Sequence, residues 1–293
     1  MNLSSKLWKV LLVFAIVFSF VFTSLVNEAD ASNNLQVHFI DVGQGDAILV
    51  NLPNGQNMLV DGGENHYGTT VVNYIANRGI SRLDYVVGTH PHSDHIGGLS
   101  DVINQFSIGR VYMPNVTANT KTYEDLLQAI DRKGLTITRA RAGLTIVNTV
   151  IDGKRLQVNM IAPVRDSYSN INDYSAVMKI SYGTTSFLLT GDAEHISEAD
   201  MINSGVDLSA SILKVGHHGS STSTTDAFLN RVNPAVAVIS VGAGNRYGHP
   251  TQTTINKLKA RNIAIYRTDM NGSVVFTTTG SGWLVNKQAW WRP

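Results

Sequence analysis

Residues 89–98 read THPHSDHIGG and follow directly on the apolar run LDYVVG. His90, His92, Asp94 and His95 fall within six positions, so one short turn holds a third of the chain's nine histidines. A solvated loop gains nothing from that density. Imidazole and carboxylate are the ligands that borderline divalent metals take when sulfur is absent. The 293 residues include no cysteine, which excludes a thiolate ligand, a cysteine nucleophile and a disulfide framework. The alternating spacing lets His90 and His92 address one ion while Asp94 and His95 address a second. Four side chains do not close two metal shells, so the fold must bring further ligands from distant segments to this turn.

Three other segments offer them. Asp192 ends the apolar run FLLTGD, where a helix cap is the competing reading. His217 and His218 end ASILKVGHH, and His249 lies in NRYGHP beyond AVAVISVG. All stand at the ends of strand-like runs, where binding and catalytic groups gather. The remaining histidines read differently. His38 lies inside a strand and is expected to pack there, His66 sits in a loop, and His195 opens a helix on the surface.

Short β-type runs alternate with helical periodicity. LQVHFIDV and DAILVNL read as strands paired around a tight GQG turn, and QNMLVDGG as a third. LDYVVGTH, RLQVNMIAP, SAVMKISYG, TSFLLTGD, ASILKVGHH and AVAVISVG follow in the same style. Helices are expected at TTVVNYIANRG, HIGGLSDVINQF, TYEDLLQAIDRKG, AEHISEADMINSG, TTDAFLNRV and TQTTINKLKARN. Trp283, Trp290 and Trp291 suggest a last strand and a tail packed on the surface. Strands that end in polar residues and feed helices imply an α/β fold, sheets inside and helices outside.

FIDVGQGDAILV, LVDGG, THPHSDHIGGL, FLLTGDAE, LKVGHHGSSTS and NRYGHPT occur in this order between about residues 37 and 252. With them the chain resembles the metallo-β-lactamase fold superfamily. Within it, the chain looks most like the hydrolase domain of the competence DNA-uptake proteins, the ComEC/Rec2 branch. The resemblance implies an αββα sandwich forming a single domain over residues 32–293. It implies one metal on His90 and His92, another on Asp94, His95 and a histidine of the GHHG pair, and Asp192 bridging the two. It favours His218 as that ligand and His217 as a substrate-contacting catalytic group. His249 would be a ligand or a donor to the leaving group, and Asp94 or Asp192 would orient the nucleophile. Asp61 would order the floor of the site; Glu194, Ser220 and Tyr247 are candidates for substrate or supporting contacts. One departure stands out: no histidine lies between Ile96 and Gly191, where dinuclear members carry one, and NDYSAV stands there instead. The His90–His92 shell is therefore expected to be open or weak, with one or two ions bound.

Divalent ions, zinc first and manganese second, would lower the pKa of a bound water for attack on phosphorus or a carbonyl. No G-x-S-x-G elbow and no H-E-x-x-H helix occur, and VGQGDA breaks the dinucleotide pattern at its third glycine. The leading expectation is a phosphodiesterase or nuclease. A formal charge of +1 favours a single strand of DNA or a short ester over a long duplex. The alternatives are a lactone or β-lactam hydrolase and a non-enzymatic surface binding module; no protein partner is expected. Residues 1–31 combine Lys6 and Lys9, the apolar run LLVFAIVFSFVFTSLV and the small-residue pattern ADA. That order reads as a cleaved signal peptide and a secreted or cell-surface protein, with a retained membrane anchor as the alternative.

Overall fold

The computed structural model describes residues 33–293, so the expected leader lies outside the described residues. Two sheets dominate. The first contains β1 (Leu35–Phe39), β2 (Ile48–Asn51), β3 (Asn57–Val60), β4 (Arg82–Val87), β5 (Ser107–Met113), β6 (Ile137–Arg139), β14 (Val274–Thr278) and β15 (Leu284–Val285). The second contains β7 (Thr145–Ile151), β8 (Lys154–Met160), β9 (Met178–Tyr182), β10 (Thr185–Leu189), β11 (Ile212–Lys214), β12 (Val236–Ile239) and β13 (Ala264–Arg267). Their orders are β15-β14-β1-β2-β3-β4-β5-β6 and β13-β12-β11-β10-β9-β8-β7.

Side-chain parity fixes the layers. Along β1–β3, Val37, Phe39, Ile48, Val50, Met58 and Val60 join one buried cluster with Ile180, Phe187, Leu189 and Val238 of the other sheet. The intervening Leu49 and Leu59 face Val71, Ile75, Leu99, Ile103 and Leu126 on the helices of the first outer layer. Leu188, Leu213, Ala237 and Ile239 likewise face Met201, Phe228, Leu229 and Leu258 on the opposite side. Both faces of each sheet are covered, which is why these strands read as near-continuous apolar runs rather than alternating ones. The arrangement is the expected αββα sandwich.

β3-β4-β5-β6 and β10-β11-β12-β13 are parallel sets. Their crossover helices are α1 (Gly68–Ala76), α2 (Ser93–Ile96), α3 (Leu99–Gln105), α4 (Lys121–Arg132), α5 (His195–Asn203), α6 (Asp226–Val232) and α7 (Gln252–Ala260). Thr120, Thr225 and Thr251 cap α4, α6 and α7, each accepting a bond from a first-turn amide. Because both parallel sets run toward the same rim, the loops after β3, β4, β10, β11 and β12 converge there.

Two local expectations are corrected. The β1–β2 connection spans residues 40–47, longer than a tight GQG turn. HIGGLSDVINQF is not one helix: Gly97 and Gly98 separate α2 from α3. A Cβ on Gly97 would lie 2.3 Å from the Asn65 amide nitrogen, and one on Gly98 2.3 Å from the Gly62 carbonyl oxygen. The loop after β3 thus presses against this break, and Gly62 N–H donates to the His95 carbonyl at 2.6 Å. The apolar face survives it, since Ile96, Leu99, Ile103 and Phe106 are all buried. The tryptophan tail is packed as expected: Trp291 bridges to Ile265, and Trp290 and Trp291 lie against the second outer layer. Among the described residues no helix is long and apolar enough to cross a membrane.

Candidate metal centre

The loop after β4 carries His90 and His92, and the first turn of α2 carries Asp94 and His95. Asp192 follows β10, and a turn after β11 presents His217 and His218. The Asp192 carboxylate stands between them and divides them. Its Oδ1 lies 3.1 Å from His95 Nε2 and 3.5 Å from His218 Nε2, and His218 Nε2 is 3.3 Å from Asp94 Oδ2. Its Oδ2 lies 3.9 Å from His90 Nε2 and 3.7 Å from His217 Nε2. His90 Nε2 and His92 Nδ1 face one another at 3.0 Å.

Asp94, His95, Asp192 and His218 each direct one ligand atom into a space where all four lie within 4.8 Å of one another. His95 Nε2, His218 Nε2 and Asp192 Oδ1 are buried and have no hydrogen-bond partner in the protein. Buried polar atoms are ordinarily satisfied, so three unsatisfied ones aimed at one point fit a cation. The donor set is imidazole and carboxylate, suited to a borderline divalent ion.

Electrostatics separate the two sides. Burial, reinforced by the neighbouring His95, pushes the His90 imidazole well below its ordinary value. His92 is lowered chiefly by burial. Both present neutral lone pairs at pH 7. On the other side burial would also lower His218, but Asp192 and Asp94 outweigh it and raise the imidazole to about 9. His95 is raised well above the ordinary value for the same reason, with Asp192, Asp61 and Asp94 acting together against burial. Asp192 and Asp94 are held low by these histidines although burial opposes it.

Supporting contacts fix the ligand rings. Asp61, at the end of β3, accepts from the Thr89 amide at 2.8 Å and the Thr89 hydroxyl at 2.7 Å, and lies 2.8 Å from His95 Nδ1. It thus lies beneath the cluster, in contact with Thr89 and His95. His218 Nδ1 lies 2.9 Å from the Ser240 carbonyl oxygen, so it donates and leaves Nε2 for the cation. Glu194 is buried, and its Oε1 is 2.9 Å from His217 Nδ1. Ser175 places its hydroxyl 3.4 Å from His90 Nδ1 and accepts from the Asp192 amide at 3.0 Å.

A cavity of about 470 Å³ opens over the cluster, with His92, Asp94, Asp192, His217, His218, Tyr247 and His249 in its wall. His249 stacks on Tyr247 with ring centres 5.8 Å apart and meets the His217 ring edge-on at 5.4 Å. Burial, then the neighbouring imidazoles of His217 and His218, lower His249 to about 4, so it is a neutral imidazole at pH 7. Ser220 lies outside the cavity wall, and its hydroxyl is engaged with Thr222 at 2.9 Å, whose own hydroxyl is 3.4 Å from His217 Nδ1. His66 and His195 are exposed and outside the wall, and His38 is buried within β1, 3.1 Å from the Tyr74 hydroxyl.

Two buried charged residues beneath the cluster escaped the sequence reading. Lys214 is fully buried, and its Nζ lies 2.5 Å from Asp46 Oδ2 and donates to the Gly191 carbonyl at 3.1 Å. Asp46 in turn approaches His218 Nδ1 at 3.6 Å and His95 Nδ1 at 3.9 Å. The signal available was a lysine inside ILKV, a strand otherwise apolar on both faces.

Comparison with known proteins agrees with this geometry. The sequence pattern of the metallo-beta-lactamase superfamily matches residues 40–243. The chain is 30% identical over 262 residues to ComE operon protein 3 of Bacillus subtilis (strain 168), covering 84% of this chain and 33% of that one. It is 29% identical over 276 residues to competence protein ComA of Neisseria gonorrhoeae, covering 94% of this chain and 36% of the other. It thus spans about a third of the length of these curated relatives. Among solved structures, Igni18, a metallo hydrolase from the archaeon Ignicoccus hospitalis KIN4/I, aligns with a TM-score of 0.52 and 17% identity over 83% of this chain and 98% of its own. Sequence pattern, paired sheets and a histidine–aspartate cluster at their common rim lead to one conclusion: this chain belongs to the metallo-beta-lactamase superfamily, and its cluster fits a metal ion.

Proposed function

We propose that the protein hydrolyses phosphodiesters, with a single strand of DNA as the leading substrate, and that it does so outside the cell membrane. The observation that carries the reading is the cavity wall. Beside the histidines and aspartates it presents Gln44, Ser93, Thr120, Thr122, Asn172 and Tyr247, and Pro91 is its one aliphatic member. A phosphodiester brings several oxygens that need donors, whereas a lactam or lactone needs fewer donors and more apolar wall. Likeness to a protein named for competence supports a nucleic-acid substrate, as an analogy that weighs less than the site.

Zinc or manganese held by His90, His92, Asp94, His95, Asp192 and His218 would supply an acidified water and charge neutralisation at phosphorus. The chain's own groups do the rest. Asp94 is half-exposed at the cavity and lies beside His218, placing an acceptor where an attacking water must be oriented. His249 is neutral at pH 7, so it donates a hydrogen bond to the leaving oxygen rather than a full proton. Tyr247 is half-exposed beside it, and Arg246, 5.0 Å from the Tyr247 ring centre, adds a positive charge at the cavity mouth that suits a phosphate.

The test compares kcat/KM for bis-p-nitrophenyl phosphate, a short single-stranded oligonucleotide, nitrocefin and an acyl-homoserine lactone on one metal-loaded preparation. Both phosphodiesters are expected to lead, and His249→Ala to lower their turnover by about tenfold or more while metal content stays unchanged. A lactone or lactam ahead by about tenfold would overturn the phosphodiester reading. Export is tested separately: N-terminal sequencing of protein from the culture medium should begin at Ser32, and an intact Met1 on membrane-bound protein would speak for an anchor.

A further inference from the structure

The His90–His92 side of the centre poses a problem of supply. It has two imidazoles and one oxygen of Asp192, and no histidine occurs between Ile96 and Gly191 to complete it. The polar segment that stands there does something else. Asn170 Nδ2 donates to Glu194 Oε2 at 2.9 Å, and Asn172 Nδ2 donates to Glu194 Oε1 at 3.0 Å. Glu194, buried and held from two sides, lies 2.9 Å from His217 Nδ1. Thr222 offers His217 Nδ1 only a looser contact at 3.4 Å.

A carboxylate accepts and does not donate, so His217 presents Nδ1–H to Glu194 and keeps Nε2 as the nitrogen a cation would take. That nitrogen lies 3.7 Å from Asp192 Oδ2, the oxygen that also faces His90 Nε2. The backbone makes the split possible. His217 and His218 are both left-handed, at φ 48° and φ 52°, a conformation that residues with a Cβ rarely adopt in succession. The turn sends two adjacent rings to opposite oxygens of Asp192, with centres 6.1 Å apart and planes at 69°. Strain held at a site by its surroundings is a mark of use.

We propose that His217 is a metal ligand, the third imidazole of the His90–His92 subsite, and that Glu194 is the positioning residue that fixes its tautomer. The role replaces that of a substrate-contacting catalytic group. Asn170 and Asn172, at and just before the NDYSAV segment, act on this subsite at one remove, through Glu194. The inference rests on the dinuclear centre and not on the substrate class.

Metal counting tests it without substrate. Zinc is titrated into chelator-treated full-length mature protein, and bound metal is measured by equilibrium dialysis with elemental analysis; cobalt absorption reports the coordination. The unsubstituted protein should take two ions per chain, and His217→Ala one, with the cobalt spectrum of the remaining subsite unchanged. Glu194→Gln should keep both ions but weaken one of them by about 10–100-fold, as expected for an outer partner of a ligating histidine. Two ions bound with unchanged affinities in His217→Ala would overturn the proposal, as would saturation of the unsubstituted protein at one. If circular dichroism shows that His217→Ala does not fold, Glu194→Gln decides: unchanged affinity at both subsites overturns it. A preference for lactams in the kinetic comparison would leave this result standing, and loss of the second ion would leave the substrate class untouched.

Discussion

Asp192 stands between the two halves of the candidate centre. Each of its oxygens faces a different set of imidazoles, and the carboxylate is almost fully buried. Asparagine would keep the shape, lose the charge and turn one acceptor into a donor aimed at a cation. Asp192→Asn is therefore expected to lower phosphodiester turnover by roughly a hundredfold or more. His195→Ala, three residues on but exposed, should stay near the parent. Elemental analysis and kcat of both variants check this; near-parent turnover and full metal content in Asp192→Asn would remove the residue from the site. Density of chemistry made Asp192 and its partners legible in the sequence. Six of the nine histidines lie in motifs at strand ends, and each reached the rim that the strand ends form. Ser220, a hydroxyl beside GHHG, reads in the sequence as a donor to substrate, and the fold turns it onto Thr222.

At the scale of elements, legibility followed local pattern. α1, α4, α5, α6 and α7 announce themselves by periodicity and by Thr caps or Gly stops, and they formed where expected. β14 was passed over although VVFTT is a plain β-branched run, and β5, β6, β7 and β13 gave no such signal. β5 begins Ser-Ile-Gly-Arg with half its length uncovered, β7 is an edge strand with mixed polarity, and β6 and β13 have three and four residues. Such strands exist because a neighbour supplies their hydrogen bonds, which no local window reveals. The same holds for the pair that joins the two sheets. Lys214 on β11 and Asp46 before β2 are far apart in sequence, yet their contact ties the rims together beneath the metal centre. Breaking one partner of a buried pair leaves an uncompensated charge, so Lys214→Met is expected to cost about 3–5 kcal/mol in urea unfolding. Lys214→Met combined with Asp46→Leu should recover most of that loss. A single substitution costing less than about 1 kcal/mol would show that the pair is not a structural tie.

At the scale of the whole molecule the question is what holds the centre together when no metal is there. The three buried clusters lie between and outside the sheets, and none of them contains a candidate ligand. The fold should therefore outlive chelation, unlike a small domain whose metal binding is its folding energy. Protons take part in this. Without a cation, the charges of Asp94 and Asp192 raise His218 to about 9 and His95 well above its ordinary value. At pH 7 these protonated rings stand between the carboxylates, and metal binding must displace their protons. Calorimetric titration of zinc in buffers of different ionisation enthalpy should thus show proton release at pH 7, and apparent affinity should rise as pH climbs toward about 9. The sign for stability follows from the same shift. His218 has a folded value above its unfolded one, so its contribution is complete below about pH 6.5 and fades as pH rises through about 9. The metal-free protein should remain folded by circular dichroism at pH 7 and lose on the order of 3 kcal/mol, roughly 5–10 °C in Tm, by pH 9.5. The zinc-loaded protein should not, because the cation carries the positive charge that the protons had carried. Unfolding on chelation at pH 7 would make the metal structural, and equal pH profiles of Tm with and without zinc would show that His218 is not held by the carboxylates at all.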